Sequence, residues 1–246
     1  MPTYVITGAR GGIGLEYVNQ LSKTPSATVV ALVRDIAADL SDLQTIKAAG
    51  SGAVHILECD ISSEPSISAL PERLTTALGP DVKVDVLINN AATLQYTNQT
   101  ASTLDAAALE AHMTSNVLGP ARTLQVLLPF FQTPEDGGKG TVIANITSGA
   151  GSLSWVARGK VPHVLTPYAI SKAGLNMLTV HQAKQLADRG IVVVAVDPGH
   201  VKTKAGGPGA TVEVADSAVG ILRLLEGLGR GDGGRFFLYD GSEVPW

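Results

Sequence analysis

A glycine-rich turn between an early strand and an early helix constrains the fold of this chain more than any other feature of its sequence. Residues 3–7 are a short β-branched run, and the next residues read Gly8-Ala9-Arg10-Gly11-Gly12-Ile13-Gly14. A helix is predicted from there to about residue 22. Strand, glycine turn and helix in this order predict a dinucleotide site, because glycine lets the backbone approach a pyrophosphate that helix-start N–H groups bind. The alternative is a glycine turn without a ligand.

Strands and helices alternate over the rest of the chain. Further strands are predicted at 28–33, 53–58, 84–88, 141–147, 191–196 and 235–239, and helices at 36–49, 63–78, 103–131, 166–189 and 212–228. They predict one doubly wound α/β (Rossmann) domain over residues 1–246, with a mostly parallel seven-stranded sheet and helices on both faces. Segments 149–167 and 200–212 are the expected substrate loops, because loops at strand carboxyl ends usually carry specificity.

Composition excludes several classes of partner. The net charge of −4 comes without a basic stripe, so neither nucleic acid nor an anionic membrane is expected as a partner. Cys59 is the single cysteine and is expected to fill core space. With no signal segment and no apolar run long enough to span a membrane, a soluble, cytoplasmic protein is expected. No metal site is predicted.

The end of the second strand bears on the choice of nucleotide. An acid at this point accepts from the ribose 2′-OH of NAD, whereas a base meets the 2′-phosphate of NADP. Arg34 and Asp35 are adjacent there, and Arg10 lies in the glycine turn. Because two guanidiniums suit a phosphate dianion, the sequence favours NADP(H) over NAD(H). Asp35 is then a solvated residue at the start of the next helix.

Polar and small residues follow the third and fourth strands. Asp60 either accepts from the adenine amino group, with Ile61 beside the ring, or caps the following helix, and both can hold. Asn89, Asn90 and Ala91 come after the fourth strand. Small residues there let the backbone approach a ligand, and asparagine amides can tie neighbouring strand ends together.

Tyr168 and Lys172 are four residues apart at the start of a helix that Pro167 opens, so both project from one face. The ammonium would favour the phenolate and lower the tyrosine pKa from about 10 toward the working pH of a general acid. An exposed pair on an ordinary amphipathic helix is the alternative. In the preceding helix Asn116 is either an accidental polar position or the centre of a local kink whose freed carbonyl holds a water.

Taken together, these residues resemble the short-chain dehydrogenase/reductase family over the whole chain. The shared motifs are Thr7-Gly8-x-x-x-Gly12-Ile13-Gly14, Asp60, Asn89-Asn90-Ala91, Asn116, Ser148, Tyr168-x-x-x-Lys172 and Pro198-Gly199 with Thr203. The chain's ending is similar to the subgroup of carbonyl reductases and C-factor-like proteins.

The resemblance implies hydride transfer between a nicotinamide and a carbonyl or alcohol carbon. Tyr168 would donate a proton to the carbonyl oxygen, and Ser148 would hydrogen-bond that oxygen. Lys172 would bind the nicotinamide ribose and lower the Tyr168 pKa, while Asn116 would hold a water leading to solvent. The expected cofactor contacts are Gly8, Arg10, Gly12, Ile13, Gly14, Arg34, Asp60, Ile61, Asn89, Ala91, Tyr168, Lys172, Pro198, Gly199, Val201 and Thr203.

The expected activity is therefore NADP(H)-dependent reduction of a ketone or aldehyde to an alcohol. The alternatives are an NAD(H)-dependent secondary alcohol dehydrogenase and a signalling protein that binds the nucleotide without turnover. The stretch from Ser148 to Tyr168 is longer than the family's usual one, so no substrate follows by analogy. Its Arg158, Lys160 and His163 either attract an acidic or polyphenolic substrate or form a solvated basic loop. A homodimer or homotetramer is expected.

Overall fold

A parallel sheet runs through the molecule. The computed structural model describes residues 1–95, 98–134, 139–162 and 164–246. In this part of the chain every pair of neighbouring strands is parallel, in the order β3-β2-β1-β4-β5-β6-β7. The strands are β1 (Thr3–Thr7), β2 (Thr28–Val33), β3 (Ala53–Glu58), β4 (Val86–Asn89), β5 (Val142–Ile146), β6 (Val192–Asp197) and β7 (Phe236–Leu238). The predicted doubly wound α/β fold is confirmed, and the sheet is parallel throughout instead of mostly so.

The helices connect successive strands. They are α1 (Gly12–Leu21), α2 (Ser41–Ala49), α3 (Glu64–Ser68), α4 (Leu70–Leu78), α5 (Ala106–Met113), α6 (Gly119–Leu127), α7 (Leu153–Ala157), α8 (Thr166–Leu186) and α9 (Val214–Gly227). None of the helices described here is long and apolar enough to cross a membrane.

The helices predicted over 36–49 and 63–78 differ from the observed ones. The helix expected from residue 36 begins only at Ser41, because the Asp35 carboxylate accepts the Ala37 N–H at 2.8 Å and holds the chain in a turn. The helix expected over 63–78 is divided at Ala69 into α3 and α4. Pro71 explains the division, since it has no N–H to donate to the carbonyl one turn earlier.

Alternate strand residues face two apolar layers, so the sheet is covered on both sides. In one layer α1, α2 and α9 pack on the sheet, and its members include Ile6, Tyr17, Val18, Val29, Leu43, Val194, Ile221 and Leu225. In the other layer α4, α6 and α8 do so, and its members include Val5, Val30, Leu74, Leu127, Ile143, Leu186 and Val193. This burial on both sides explains why the central strands are almost wholly apolar.

The helix predicted over 103–131 has an irregular centre. Regular helix ends at Met113, a π-helical turn covers Thr114–Leu118, and α6 continues the same path. Asn116 is buried within that turn. Asn116 thus lies in an irregular turn, because a π-turn widens the helix and shifts its hydrogen bonds, and the water at a freed carbonyl stays a prediction.

The segment 149–167 is more regular than expected. A 3₁₀ turn covers Gly149–Gly151 and α7 follows, with the Ser152 hydroxyl accepting the Trp155 N–H at 3.1 Å as its cap. The last residues pack against this segment, since Ser154 Oγ donates to the carbonyl of Trp246 at 2.6 Å. The Trp246 ring also stacks on Phe236 at 5.3 Å between centroids. His163 lies outside the described residues.

Candidate active site

The turn between β1 and α1 requires glycine at three of its positions. Gly8 and Gly12 have φ of +69° and +57°, which L side chains rarely adopt. A Cβ at Gly8 would lie 2.9 Å from the Ala91 Cα, and one at Gly14 would overlap the Gly8 carbonyl. The turn is thus packed against the chain that leaves β4, and two predicted cofactor contacts, Gly8 and Ala91, are brought together.

The start of α1 forms a cradle for an anion. Its N-cap, Gly11, has no side chain to bind the first-turn N–H groups, which lack acceptors within the helix and carry its positive dipole end. Across the turn, a Cβ on Gly12 would lie 3.4 Å from the Thr203 methyl group, so the loop after β6 faces the glycines. The backbone of residues 11–14 therefore fits a dinucleotide pyrophosphate.

Hydrogen bonds hold the ends of β1 and β4 together. The Thr7 hydroxyl accepts from the backbone N–H groups of Asn90 and Ala91, both at 2.9 Å. The Asn90 amide donates to the Thr7 carbonyl at 3.0 Å. The predicted tie between neighbouring strand ends is confirmed, and Thr7 is an additional member of it.

A second tie joins β4, β5 and α8 below the strand ends. Asn89 Nδ2 donates to Asn145 Oδ1 at 2.8 Å, and Asn145 Nδ2 donates to Thr179 Oγ1 at 2.9 Å and Gln182 Oε1 at 3.0 Å. Asn89 thus has a structural contact besides its predicted one to the cofactor. Asn145 was not singled out from the sequence, although an amide inside an apolar strand is the signal that marks it.

Two arginines are exposed near the end of β2. Arg10 lies in the glycine turn and Arg34 directly follows β2. Ser41 hydrogen bonds, and then the positive charge of Arg10, lower the pKa of the Asp39 carboxyl in the loop after β2. Asp35 is occupied with the Ala37 N–H. Arg10 and Arg34 therefore border one loop, where the ribose of a bound nucleotide is expected.

Asp60 and Ile61 lie after β3 as predicted, with different local partners. Asp60 Oδ1 accepts from the Ser62 N–H at 2.9 Å and from its hydroxyl at 2.7 Å. The N-cap of α3 is Ser63, so the interpretation of Asp60 as that cap is wrong, because Asp60 lies one turn too early. Ile61 packs against Gly119, where a Cβ would lie 3.1 Å from the Ile61 Cβ.

The three residues of the predicted reaction centre are Ser148, Tyr168 and Lys172. They lie together just after the carboxyl end of β5 and in the first turns of α8. The Ser148 side chain lies close enough to the Tyr168 phenol to lower its pKa, which favours the phenolate. The Lys172 ammonium lies 5.6 Å from the centre of the Tyr168 ring and donates to the Ile146 carbonyl at 2.8 Å. Their spacing on one helix face brings phenol and ammonium together, and the turn after β5 supplies the serine.

The predicted effect of Lys172 on Tyr168 is wrong for the protein alone. Burial raises the pKa of Tyr168 to about 12, more than Ser148 lowers it. Burial likewise lowers the pKa of Lys172 to about 7, since the side chain is only 1% exposed. Desolvation disfavours the charged form of both groups and outweighs the attraction expected from their spacing. The site therefore holds a protonated phenol, the form that donates.

Asn116 is joined to the same helix. Its Oδ1 accepts the Thr93 N–H at 2.8 Å, and its Nδ2 donates to the Thr93 carbonyl and to Ser171 Oγ, both at 3.0 Å. Ser171 in turn donates to the carbonyl of Tyr168 at 2.7 Å. Asn116 thus braces the first turn of α8 through Ser171.

The turn after β6 faces the same edge. Gly199 has φ of +79°, and the Pro198 carbonyl accepts from the Ser217 hydroxyl at 2.7 Å, which holds the turn against α9. Val201 is buried, and Thr203 contacts the glycine turn as described above. His200, which received no role from the sequence, is exposed and contacts the Gly206 carbonyl through Nε2 at 2.7 Å.

Asp197, the last residue of β6, is a buried carboxylate at this edge that sequence reasoning missed. It is 6% exposed, and its negative charge raises the pKa of both Tyr168 and Lys172. The signal that marks it is an acid at the end of an otherwise apolar strand. Among the residues with described positions, no group of three His, Cys, Asp or Glu side chains is arranged to hold a metal ion.

Comparison with known proteins settles the family. A model of the short chain dehydrogenase family matches residues 2–210. The chain belongs to this family. C-signal from Myxococcus xanthus is 39% identical over 163 residues, which are 66% of this chain and 93% of that protein. The resemblance drawn from the motifs is thereby confirmed.

Two further members of the family cover nearly the whole chain. Norsolorinic acid ketoreductase from Aspergillus parasiticus is 29% identical over 254 residues, 99% of this chain and 90% of that protein. The solved structure of NADPH-bound carbonyl reductase from chicken fatty liver is 29% identical and superposes with a TM-score of 0.90, covering 100% of this chain and 99% of the other. This short-chain dehydrogenase is thus similar to carbonyl reductases and ketoreductases in sequence and fold.

Proposed function

We propose that this protein is an NADP(H)-dependent carbonyl reductase that converts a ketone or aldehyde to an alcohol. The observation that supports this most is the closeness of the Ser148 side chain to the Tyr168 phenol, with the Lys172 ammonium over the Tyr168 ring. This group lies at the same sheet edge as the glycine cradle. A nicotinamide nucleotide bound there supplies the hydride.

The chain's own residues account for the proton. Ser148 orients the carbonyl oxygen of the substrate by a hydrogen bond, and Tyr168 donates its phenolic proton to the same oxygen. The Lys172 ammonium stabilises the phenolate that this leaves and binds the nicotinamide ribose. A general acid positioned in this way contributes roughly 10²–10⁴-fold to a rate. Asn116 holds the helix turn that carries Tyr168, through the hydrogen bonds to Ser171.

Replacement of the proton donor tests the activity. Tyr168→Phe removes only the hydroxyl, so carbonyl reduction should be lost while NADPH binding, followed by fluorescence titration, persists. Tyr4→Phe, at the opposite end of the sheet in β1, is the matched control and should keep wild-type turnover. The substrate panel should include small ketones, quinones and bulky aromatic polyketides, followed by the loss of NADPH absorbance. Wild-type turnover by Tyr168→Phe would reject the mechanism.

The preference for NADP(H) over NAD(H) is part of the proposal. It is supported by the exposed Arg10 and Arg34 beside one loop and by the local hydrogen bond that occupies Asp35. A charge-assisted hydrogen bond contributes about 1.5–3 kcal/mol, so Arg34→Ala should weaken NADPH binding roughly ten- to a hundredfold. NADH binding should hardly change. Arg223→Ala, an exposed arginine on α9, serves as control, and unchanged NADPH affinity in Arg34→Ala would overturn the assignment.

The relative named C-signal supports a second candidate, a signalling protein that binds the nucleotide without turnover. A pure binding module has no physical need for Ser148 and Tyr168 close together, which favours the enzyme. If the wild type binds NADPH but reduces no carbonyl in the panel, the second candidate stands.

Assembly and location complete the proposal. We expect a homodimer or homotetramer, which light scattering on the purified protein would test, and a cytoplasmic location, which cell fractionation would test. Segments 149–167 and 200–212 are proposed to contact the substrate, because both leave the sheet at the carboxyl edge, after β5 and β6.

A further inference from the structure

Asp197 has no task in the reaction proposed above, although it is the buried acid of the site. Its Oδ2 accepts the Gly149 N–H at 2.8 Å and its Oδ1 accepts the Gly199 N–H at 2.9 Å. Each carboxylate oxygen therefore binds one backbone amide. A carboxylate that accepts from two amides is favoured in its ionised form, although burial acts the other way and raises the pKa of Asp197.

The two amides belong to the two segments that border the reaction centre. Gly149 directly follows Ser148. Gly199 belongs to the turn after β6, whose Pro198 and Gly199 are expected cofactor contacts and which we propose as the nicotinamide turn. The fit is close on the Ser148 side, where a Cβ on Gly149 would lie 3.0 Å from Asp197 Oδ2 and 2.6 Å from the Trp155 ring. A single side chain thus sets the distance between the serine segment and the nicotinamide turn.

The charge of Asp197 acts on the proton-transfer residues. Lys172 and Tyr168, both on α8, are the titratable groups that respond to it, and its negative charge raises the pKa of each. From α5, His112 meets the Tyr168 ring edge-on at 6.2 Å between centroids. Lys172 in turn lowers the pKa of Asp197. The ammonium and the carboxylate therefore favour each other's charged form in a buried site.

We propose that Asp197 is a positioning residue for the reduction: its carboxylate joins the Ser148 segment to the nicotinamide turn, and its charge retains the protons of Lys172 and Tyr168. The proposal rests on the proposed function. Asp197 touches neither substrate nor hydride in this account. It acts through the two backbone amides and through the field at α8.

Asp197→Asn tests this, because it keeps the size of the side chain but removes the charge and one of the two acceptors. Loss of the charge lowers the pKa of both Lys172 and Tyr168, so both lose their protons at lower pH. The alkaline limb of kcat for carbonyl reduction should move to lower pH by about one unit, the effect of a nearby charge. NADPH affinity, measured by fluorescence titration without substrate, should likewise fall at a lower pH than in the wild type.

Asp85→Asn is the matched control. Asp85 also accepts a backbone N–H, that of Thr3 at 2.7 Å, but at the amino edge of the sheet. This variant should lose some stability and keep both wild-type pH profiles. If the asparagine variant does not fold, Asp197→Ser, which is smaller and also uncharged, replaces it and should shift both pH profiles in the same direction.

The outcomes separate this proposal from the proposed function. If the wild type reduces carbonyls and both pH limbs of the folded Asp197 variant coincide with those of the wild type, the role of Asp197 is overturned. If the wild type reduces no carbonyl, the proposed function fails, and the NADPH titration alone then decides whether the charge of Asp197 acts on Lys172. A shift found equally in Asp85→Asn would also overturn the proposal, because it would reflect general destabilisation.

Discussion

Removal of the Lys172 ammonium should change how the stability of the protein depends on pH. Burial lowers the pKa of Lys172 from its ordinary 10.5 to about 7 in the folded protein. Between these two values the unfolded chain binds the proton and the folded chain does not, so the free energy of unfolding rises with pH. Lys172→Met removes this titratable group, so the free energy of unfolding of the variant should depend less on pH.

The size of the effect follows from the width of that interval. Each pH unit within it is worth up to about 1.4 kcal/mol, so from pH 8 to pH 10 the wild type should gain about 2–3 kcal/mol relative to Lys172→Met. The methionine variant also leaves the Ile146 carbonyl without its 2.8 Å hydrogen bond. That loss is the same at every pH and shifts the curve without changing its slope.

Urea denaturation of the cofactor-free protein at several pH values measures this difference. Lys184→Met, an exposed lysine near the end of the same helix, is the control and should follow the wild-type curve. If the stability difference between wild type and Lys172→Met is the same at pH 8 and pH 10, the ammonium is not desolvated as argued, and the reasoning about the reaction centre is refuted.

Three further outcomes are expected. Gly14→Ala forces a methyl group onto the Gly8 carbonyl, so it should lower the free energy of unfolding by about 1–3 kcal/mol and weaken NADPH binding. Gly11→Ala is the control, because the space around its Cβ is open, and it should keep wild-type stability in the same denaturation experiment. Cys59 is 4% exposed and burial raises its pKa to about 11, so the native protein should not react with a thiol reagent until it is unfolded. Asn145→Leu leaves the buried side-chain amides of Asn89 and Gln182 without this hydrogen-bond partner and should lower stability by about 1–3 kcal/mol for each. A Leu variant as stable as the wild type would contradict that accounting.

The strands were predictable because their signal is local. A run of apolar, β-branched residues between turns marks each one, and most observed ends agree with the predicted ends within a residue or two. The helix boundaries were less predictable. The start of α2 depends on hydrogen bonds that Asp35 and Asp39 accept from the backbone, and the division between α3 and α4 depends on Pro71. These helix boundaries depend on individual side chains. They leave the hydrophobic pattern of the sequence unchanged, so that pattern does not reveal them.

The candidate reacting residues followed from motifs, but their surroundings did not. The spacing of Tyr168 and Lys172 predicts a shared helix face, yet burial of that face by other elements decides both pKa values. The contacts of Asp197 and Asn145 join segments that are far apart in sequence. Contacts of this kind arise only when the sheet assembles, so a single sequence cannot show them.

The outer side of β7 is occupied by the chain itself. Leu238 donates its N–H to the Ser242 carbonyl at 2.7 Å, and the Val244 N–H donates to the Phe236 carbonyl at 2.8 Å. Unpaired strand borders are where foreign chains add to a sheet and start aggregates. The residues that follow β7 therefore protect this edge of the sheet. Their removal would expose a strand edge that promotes aggregation, and it would also remove contacts that hold α7 in place.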